Sequence, residues 1–385
     1  MRVIMKKSSA IAALVILLCG CASLKPSFDA QTTPLIAESF DGAKNQSAVY
    51  RPVSWKELGG WKKDDHAEAL IAFVKSCEIN AAASIWAKTC AEAKETGADD
   101  RVSARLFFET HFQPYEVIAD GKSRQGLVTG YYLPLLNGSK TKTARFAYPI
   151  YKKPSDLVVV DLQAFGVNRK PTRARLTSDG MVTPYYDRAA IDSNASPLAG
   201  NELFWVDDPI GLFFMHIQGS GLIRFLSGET RLVGYADQNG RAYYPIGLYL
   251  IENGEIARDA LSMQSIRAWL EANPKRMREV LNKNPSYIFF EEGNVSVGAF
   301  GAQGAPLSPK RSIAVDPSFI PLGAPVFIRA VDPSGDLSRL CVAQDTGGAI
   351  KGATRADFFW GEGFEAEERA GKMRMQSEMW ILLPK

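Results

Sequence analysis

The chain has 385 residues, 46% hydrophobic and 23% charged, with 45 basic and 42 acidic side chains. This composition supports a folded core and excludes collagen-like, coiled-coil and disordered classes. At roughly 100–200 residues per domain it predicts two domains, and the absence of a basic block excludes nucleic-acid binding by bulk electrostatics.

The first element reads as an export signal. Arg2, Lys6 and Lys7 precede an apolar run over 11–18, too short to cross a bilayer core of about 30 Å as a stable helix. The run ends in Leu18-Cys19-Gly20-Cys21, followed by Ala22 and Ser23. This resembles a bacterial lipobox, which implies cleavage before Cys21 and a diacylglyceryl group on its thiol. The alternative is an ordinary cleaved signal in which Cys21 is incidental. Ala22, in place of Asp, implies outer-membrane sorting by analogy with that class. Loss of the signal removes the three cations and leaves 42 side chains of each sign. No other apolar run reaches the length of a membrane span, so the remainder is expected in the periplasm.

Residues 21–50 mix Pro, Gln, Thr, Ser and Asp and read as a tether. From 55 to 112 the pattern is helical, with Leu70, Phe73, Val74 and Cys77 at three-to-four spacing. Cys77 and Cys90 flank a helix-like stretch, and an oxidising compartment allows either a disulfide or two buried thiols. Short β-type runs follow at 127–132, 148–151, 157–160, 204–206 and 212–217. His216 lies in the last of these, where a satisfied buried histidine is the simplest reading. Gly219-Ser220-Gly221 reads as a hairpin turn into a further strand. Helices return at 246–253, 262–271 and 274–282, with Pro274 suited to a first turn. Strands then close the chain at 311–315, 324–329, 340–344 and 379–383, with Cys341 a core residue.

This order does not alternate β and α, which disfavours a doubly wound sheet. There is no dinucleotide or Walker fingerprint. No C-x-x-C occurs, and His66, His111 and His216 lie far apart, so neither a metal nor a Ser-His-Asp triad is indicated.

The chemistry concentrates near the C-terminus. Asp345 ends an apolar strand beside Gly347-Gly348, and Asp357 precedes Phe358-Phe359-Trp360. A carboxyl held against aromatic surface loses hydration, and a second carboxylate nearby adds to the rise in its pKa. That is what a general acid near neutral pH requires. With Asp316, upstream in Ser312-Ile313-Ala314-Val315-Asp316-Pro317, the arrangement resembles the three-aspartate signature of a double-psi β-barrel module.

The wider match is to the membrane-bound lytic murein transglycosylase A family, over nearly all of the chain beyond the signal. It is carried by Thr129-Gly130-Tyr131-Tyr132, Phe146 to Tyr151, Trp205-Val206-Asp207-Asp208-Pro209, Ile217-Gln218-Gly219-Ser220-Gly221, Gly234 to Gly240, Ser262 to Arg267, Asn284-Pro285-Ser286-Tyr287 and the aspartate region. The resemblance implies a mainly β, α+β fold: a double-psi β-barrel interrupted by an inserted β-rich domain. Its expected parts are 1–20 signal, 21–50 tether, 51–132 helices and first barrel strands, 133–285 insert, and 286–385 second barrel part. It implies cleavage of the β-1,4 bond from N-acetylmuramic acid to N-acetylglucosamine in peptidoglycan, leaving a 1,6-anhydro ring. The family's acid/base falls on Asp357 and its neighbouring carboxylate on Asp345. Asp316 and Lys351 support them, and Thr129, Tyr131, Gln218, Ser220 and Gln264 line the glycan groove. No cofactor is implied. The expected partners are glycan strands and, through Cys21, the periplasmic face of the outer membrane, with the cell-wall synthesis machinery as the class of protein partner. A hydrolase using both carboxylates and a non-catalytic glycan-binding lipoprotein are the alternatives.

Overall fold

A computed structural model describes residues 47–80, 85–97, 100–168, 171–295, 298–332 and 335–385. The signal, Cys21 and the tether as far as residue 46 lie outside the described residues.

The N-terminal part runs β1 (Ala48–Pro52), helices α1 (His66–Asn80), α2 (Ala87–Thr96) and α3 (Arg101–His111), then β2 (Phe112–Ala119) and β3 (Gly126–Leu133). The middle carries β4 (Leu135–Ser139), β5 (Tyr148–Tyr151), β6 (Leu157–Val160), β7 (Thr172–Leu176), β8 (Val182–Pro184), α4 (Arg188–Ile191), β9 (Glu202–Val206) and α5 (Pro209–Gln218). It continues through β10 (Gly221–Phe225), β11 (Thr230–Gln238), α6 (Ile246–Glu252), α7 (Met263–Ala272), α8 (Pro274–Leu281) and β12 (Ile288–Gly293). The C-terminal part is β13 (Ser312–Val315), β14 (Pro325–Asp332), β15 (Gly335–Asp345), β16 (Arg355–Glu362), α9 (Gly363–Lys372) and β17 (Arg374–Pro384).

The two end portions share one sheet, ordered β1-β2-β17-β14-β15-β13-β16-β3. A further pairing of β17 with β3 closes six of these strands into a barrel. β17 manages this by length. Its first residues pair with β3, its last with β2, and its other edge runs along β14. All four residues of β13 are buried, as expected for a strand at the centre of the sheet. The neighbours β13–β15 and β16–β3 are parallel, and parallel neighbours need long crossovers. Between β3 and β16 the connection takes in the whole middle region and then β13 to β15. Helices α1 to α3 pack Phe73, Phe107 and Phe108 into the same core as Val128, Ile313, Val342 and Phe358. A disulfide joins Cys77 of α1 to Cys90 of α2, while Cys341 is a buried free thiol on β15.

A buried ion pair locks the segment leading into α1 to the barrel. Arg311 donates from Nη1 to Asp64 Oδ2 at 2.8 Å and to the Leu340 carbonyl at 2.9 Å. The same Asp64 oxygen accepts the Leu340 amide at 2.6 Å. Both charged side chains are at most 2% exposed.

The middle region forms a six-stranded sheet, β12-β11-β10-β4-β9-β5, and a small sheet β6-β7-β8. Helices α5 to α8 form a separate cluster around Phe213, Phe214, Leu250, Leu270 and Val280.

Four expectations are corrected. Residues 212–217 are not a strand; they lie within α5. Asp208 caps that helix by accepting the amides of Ile210 and Gly211 at 2.9 Å, with Pro209 in its first turn. A short unbroken apolar run reads alike as strand or buried helix, and here the cap decides. Gly219 is therefore not a hairpin glycine but the left-handed residue (φ 80°) that ends α5. The tether stops short of 50, because Ala48–Pro52 pairs with β2. Ile288–Gly293, expected in the barrel, pairs with β11 in the inserted sheet.

Gly126 shows how close β3 and β16 run. A Cβ there would sit 2.0 Å from the Thr354 carbonyl oxygen, a backbone atom that cannot step aside. Gly126→Ala should destabilise the chain by about 1–3 kcal/mol through this overpacking, read as a lowered denaturant midpoint.

Candidate active site

Strand pairing builds the site as one row across the barrel wall. Ala314 of β13 is partnered on one side by Asp345 of β15 and on the other by Asp357 of β16. Asp357 is partnered by Thr129 of β3, and Thr129 by Arg374 of β17. Directly paired residues point to one face of a sheet. The row Asp345, Ala314, Asp357, Thr129, Arg374 therefore shares a face, and Tyr131 with its partner Phe359 forms the next row on it. The opposite face carries Val128, Ala356 and Phe358 into the barrel core. At a strand spacing of roughly 4.8 Å, the two aspartates stand about 10 Å apart at Cα.

Asp357 is half-buried, and its environment is specific. The Thr129 hydroxyl donates to Asp357 Oδ1, and Thr129 Oγ1 in turn accepts from Arg355 Nη2 at 2.8 Å. Burial pushes the Asp357 carboxyl up to about 6. The Thr129 hydrogen bond and the Arg355 charge hold it back, and Asp345 adds to the rise. Asp345 is also raised by burial, against hydrogen bonds that favour its anion. Its Oδ1 accepts the backbone amides of Ala302 and Thr346, both at 2.9 Å.

Tyr131 is buried, and its hydroxyl faces the Asp345 carboxyl, whose anion it favours. It lies close enough to both aspartates for burial and their charges together to push its pKa well up. Its ring packs against Phe359 at a tilt of 41°, centroids 5.0 Å apart, and both join Leu222 and Leu232 of the inserted sheet in one apolar cluster. The insert therefore seats directly beside the aspartate row.

Asp316 has a different place. It is buried, and its two oxygens accept the amides of Ser318 at 3.1 Å and Gly352 at 2.9 Å. Burial alone would raise it, but these bonds and the nearby Lys351 charge leave it below the usual carboxylate range. Asp316 thus fastens the loop between β15 and β16. Exposed Lys351 serves Asp316 and lines a cavity of about 330 Å³ with Leu127, Thr354 and Arg355.

The proposed groove residues divide. Gln218 Oε1 accepts the Tyr132 amide at 3.2 Å, bracing α5 on β3. Ser220 is half-buried in the link from α5 to β10. Gln264 packs against Gly371 of α9. That helix covers Gly130 and Tyr132, on the other face of β3 from Thr129. Gln264 is thus not gathered with the aspartates, because its segment is a helix docked on α9. Arg355 and Arg374 were not singled out from sequence. Arg355 lies two residues before Asp357 and so shares its face; strand alternation could have found it. Among the described residues no group of three or more His, Cys, Asp or Glu side chains is placed to hold a metal ion.

The barrel and the row of acids on its wall define a class: a double-psi β-barrel of the three-aspartate type, carrying a large insertion after its first strands. Residues 311–383 match the model of the 3D domain, and 127–291 that of the MltA specific insert domain. Membrane-bound lytic murein transglycosylase A of Escherichia coli K12 is 34% identical over 266 residues, 66% of this chain and 64% of its own length. The alignment thus spans a little under two thirds of that relative. The solved structure of MltA from Neisseria gonorrhoeae superposes with a TM-score of 0.77 at 38% identity, covering 90% of this chain and 96% of that one. Escherichia coli MltA with bound chitohexaose superposes with a TM-score of 0.65 at 26% identity, covering 92% and 97%. The chain belongs to the membrane-bound lytic murein transglycosylase A family.

Proposed function

We propose that this protein is a lytic transglycosylase of the bacterial cell wall. It cleaves the β-1,4 bond from N-acetylmuramic acid to N-acetylglucosamine and leaves a 1,6-anhydro-muramoyl end. The observation that carries this reading is Asp357, a half-buried carboxyl pushed up to about 6 and held by the Thr129 hydroxyl on an open barrel face. The name of the Escherichia coli relative, a lytic murein transglycosylase, and the chitohexaose bound in its structure give the substrate class.

Asp357 in its acid form protonates the leaving glycosidic oxygen. As carboxylate it then accepts the proton of the muramoyl C6 hydroxyl while that oxygen attacks C1. The sugar supplies its own nucleophile, so the second carboxylate of an ordinary glycosidase is not needed for water. Asp345 raises the proton affinity of Asp357 and is poorly disposed to attack, since two amides occupy one of its oxygens. Asp316 holds the loop between the two, and Tyr131 closes the floor. Lipid on Cys21 would fix the enzyme to the periplasmic face of the outer membrane.

The test is digestion of purified murein sacculi. Mass spectrometry should find anhydro-muropeptides; reducing-end products alone would point to a hydrolase, and untouched sacculi to a binding protein.

The pH dependence has a defined sign. The acid form of Asp357 is required, so kcat/KM should fall about tenfold per pH unit above roughly 6. Thr129→Val removes a hydrogen bond that favours the anion, so this alkaline limb should move to higher pH while the rate below it drops. A pH–rate profile of both proteins decides, and an unmoved limb would count against Thr129 as the partner of the acid.

A further inference from the structure

Several partly or fully buried arginines in this protein have acidic partners. Arg311 meets Asp64 at 2.8 Å, Arg173 meets Asp237 at 2.8 Å, and Arg267 meets Asp208 at 2.9 Å. Arg175 and Arg241 donate to neutral oxygens of Tyr186 and Tyr185 instead, and two arginines at the site likewise lack an ion pair. Arg355 donates only to neutral oxygens, those of Thr129, Leu127 and Ala356. The Thr129 hydroxyl is interposed between it and Asp357. Arg374 is exposed, and its side chain has no hydrogen bond or ion pair among the described residues. It is the register partner of Thr129, so it occupies the same row as Asp357, one strand beyond Thr129. The two guanidinium groups are near enough to repel: burial lowers the Arg355 pKa, Asp357 partly offsets this, and Arg374 adds to the lowering. Arg355 and Lys351, with Asp120 as the one acid, also line a cavity of about 330 Å³ that Arg374 does not reach.

We infer that Arg374 and Arg355 form an anion-recognising edge of the glycan groove, and that this edge takes a carboxylate of the cell-wall polymer. The inference rests on the proposed substrate class and adds to it. Along the row the charge runs from two carboxyls at β15 and β16 to an unpaired guanidinium at β17. A neutral glycan leaves that cation without a partner. A muramoyl strand does not, because its lactyl group ends in a free carboxylate or, when amidated, in a stem peptide that carries carboxylates. Guanidinium pairs such groups through charge-assisted, often bidentate, hydrogen bonds. Arg374 is then a specificity residue, and Arg355, tied to Thr129, couples the edge to the reacting row.

The experiment measures binding of three ligands by calorimetry in the Asp357→Asn background. They are chitohexaose, which is neutral, a stem-bearing muramoyl tetrasaccharide, and the same glycan after an amidase has removed the stems. The background protein should bind a carboxylate-bearing ligand about tenfold more tightly than chitohexaose, with a preference that weakens as salt rises. Arg374→Gln should bring that ligand down to the chitohexaose level, and Arg374→Lys should restore part of the preference. Loss confined to the stem-bearing ligand places the carboxylate in the peptide; loss confined to the stripped glycan places it in the lactyl group. Equal weakening of all three ligands, or an unchanged preference in Arg374→Gln, overturns the inference. Cleavage is scored separately on wild-type protein: a chain that cuts no murein yet shows the Arg374-dependent preference refutes the transglycosylase reading and keeps this one.

Discussion

Asp357→Asn is expected to abolish release of anhydro-muropeptides, by at least about 10²–10⁴-fold in rate, while binding of chitohexaose survives. The amide keeps the shape and can still meet the Thr129 hydroxyl, but it offers no proton of useful acidity and accepts none. The same variant should be more stable than the wild type at neutral pH. The wild-type carboxyl has its pKa raised on folding from 3.8 to about 6, so folding favours the protonated form. Below about pH 4 both states are protonated and the group is neutral with respect to stability. As pH rises through 6 the wild type loses roughly 3 kcal/mol, and the amide variant does not. Denaturant unfolding at pH 4 and pH 7.5 should show a gap of only about 0.5 kcal/mol at the first and roughly 3 kcal/mol at the second. A variant that lost activity without this pH-dependent gap would place the defect outside the buried carboxyl.

The second large effect concerns stability alone. Asp64→Ala leaves Arg311 buried with its main counter-charge gone, and the Leu340 amide loses its acceptor. Breaking a buried pair from one side costs roughly 3–5 kcal/mol, a large share of the margin of a typical domain. The double change Asp64→Leu with Arg311→Met should recover much of that loss, because burying a charge pair is itself costly. Chemical denaturation of the single and double variants measures both. A single variant within about 0.5 kcal/mol of wild type would mean that Arg311 finds another anion, with Glu68 at 2.9 Å the candidate.

Much of the barrel was legible before its coordinates. The runs near 127–132, 311–315, 324–329 and 340–344 are strands because branched and aromatic side chains alternate or cluster there between turn residues. Helix α8 was signalled by Pro274, and α7 starts where expected, at Ser262, which the structure shows capping it by accepting the Ser265 amide. The helix over 209–218 was missed because the unbroken run Leu212-Phe213-Phe214-Met215 carries neither period cleanly. Helix α9 was missed for another reason: it starts at Gly363 after Glu362, with no side-chain cap to mark it.

The site divides along the same line. Asp345 and Asp357 could be singled out because a carboxyl at the end of an apolar strand, or beside three aromatics, is chemically conspicuous. Thr129 and Tyr131 came from the family resemblance, not from their local pattern. Arg374 could not be found, since its place in the row depends on the pairing of β17 with β3, across nearly the whole barrel sequence. Gln264 was drawn toward the groove by its motif, yet its contacts are with α9. Local chemistry marks candidates; only non-local pairing says which of them meet.

The crossover between β3 and β16 has a consequence for the order in which the molecule comes into being. Thr129 and Asp357 are separated by 228 positions along the chain, and the wall they share is closed by β17. A chain made from its N-terminus presents β3 early, with no barrel partner for either of its edges until the last thirty or so residues emerge. The insert, whose strands pair among themselves, can fold while β3 waits. The acid therefore cannot meet the hydroxyl that orients it until β16 is through, and a chain stalled before β17 carries every aspartate in a barrel left open at β3.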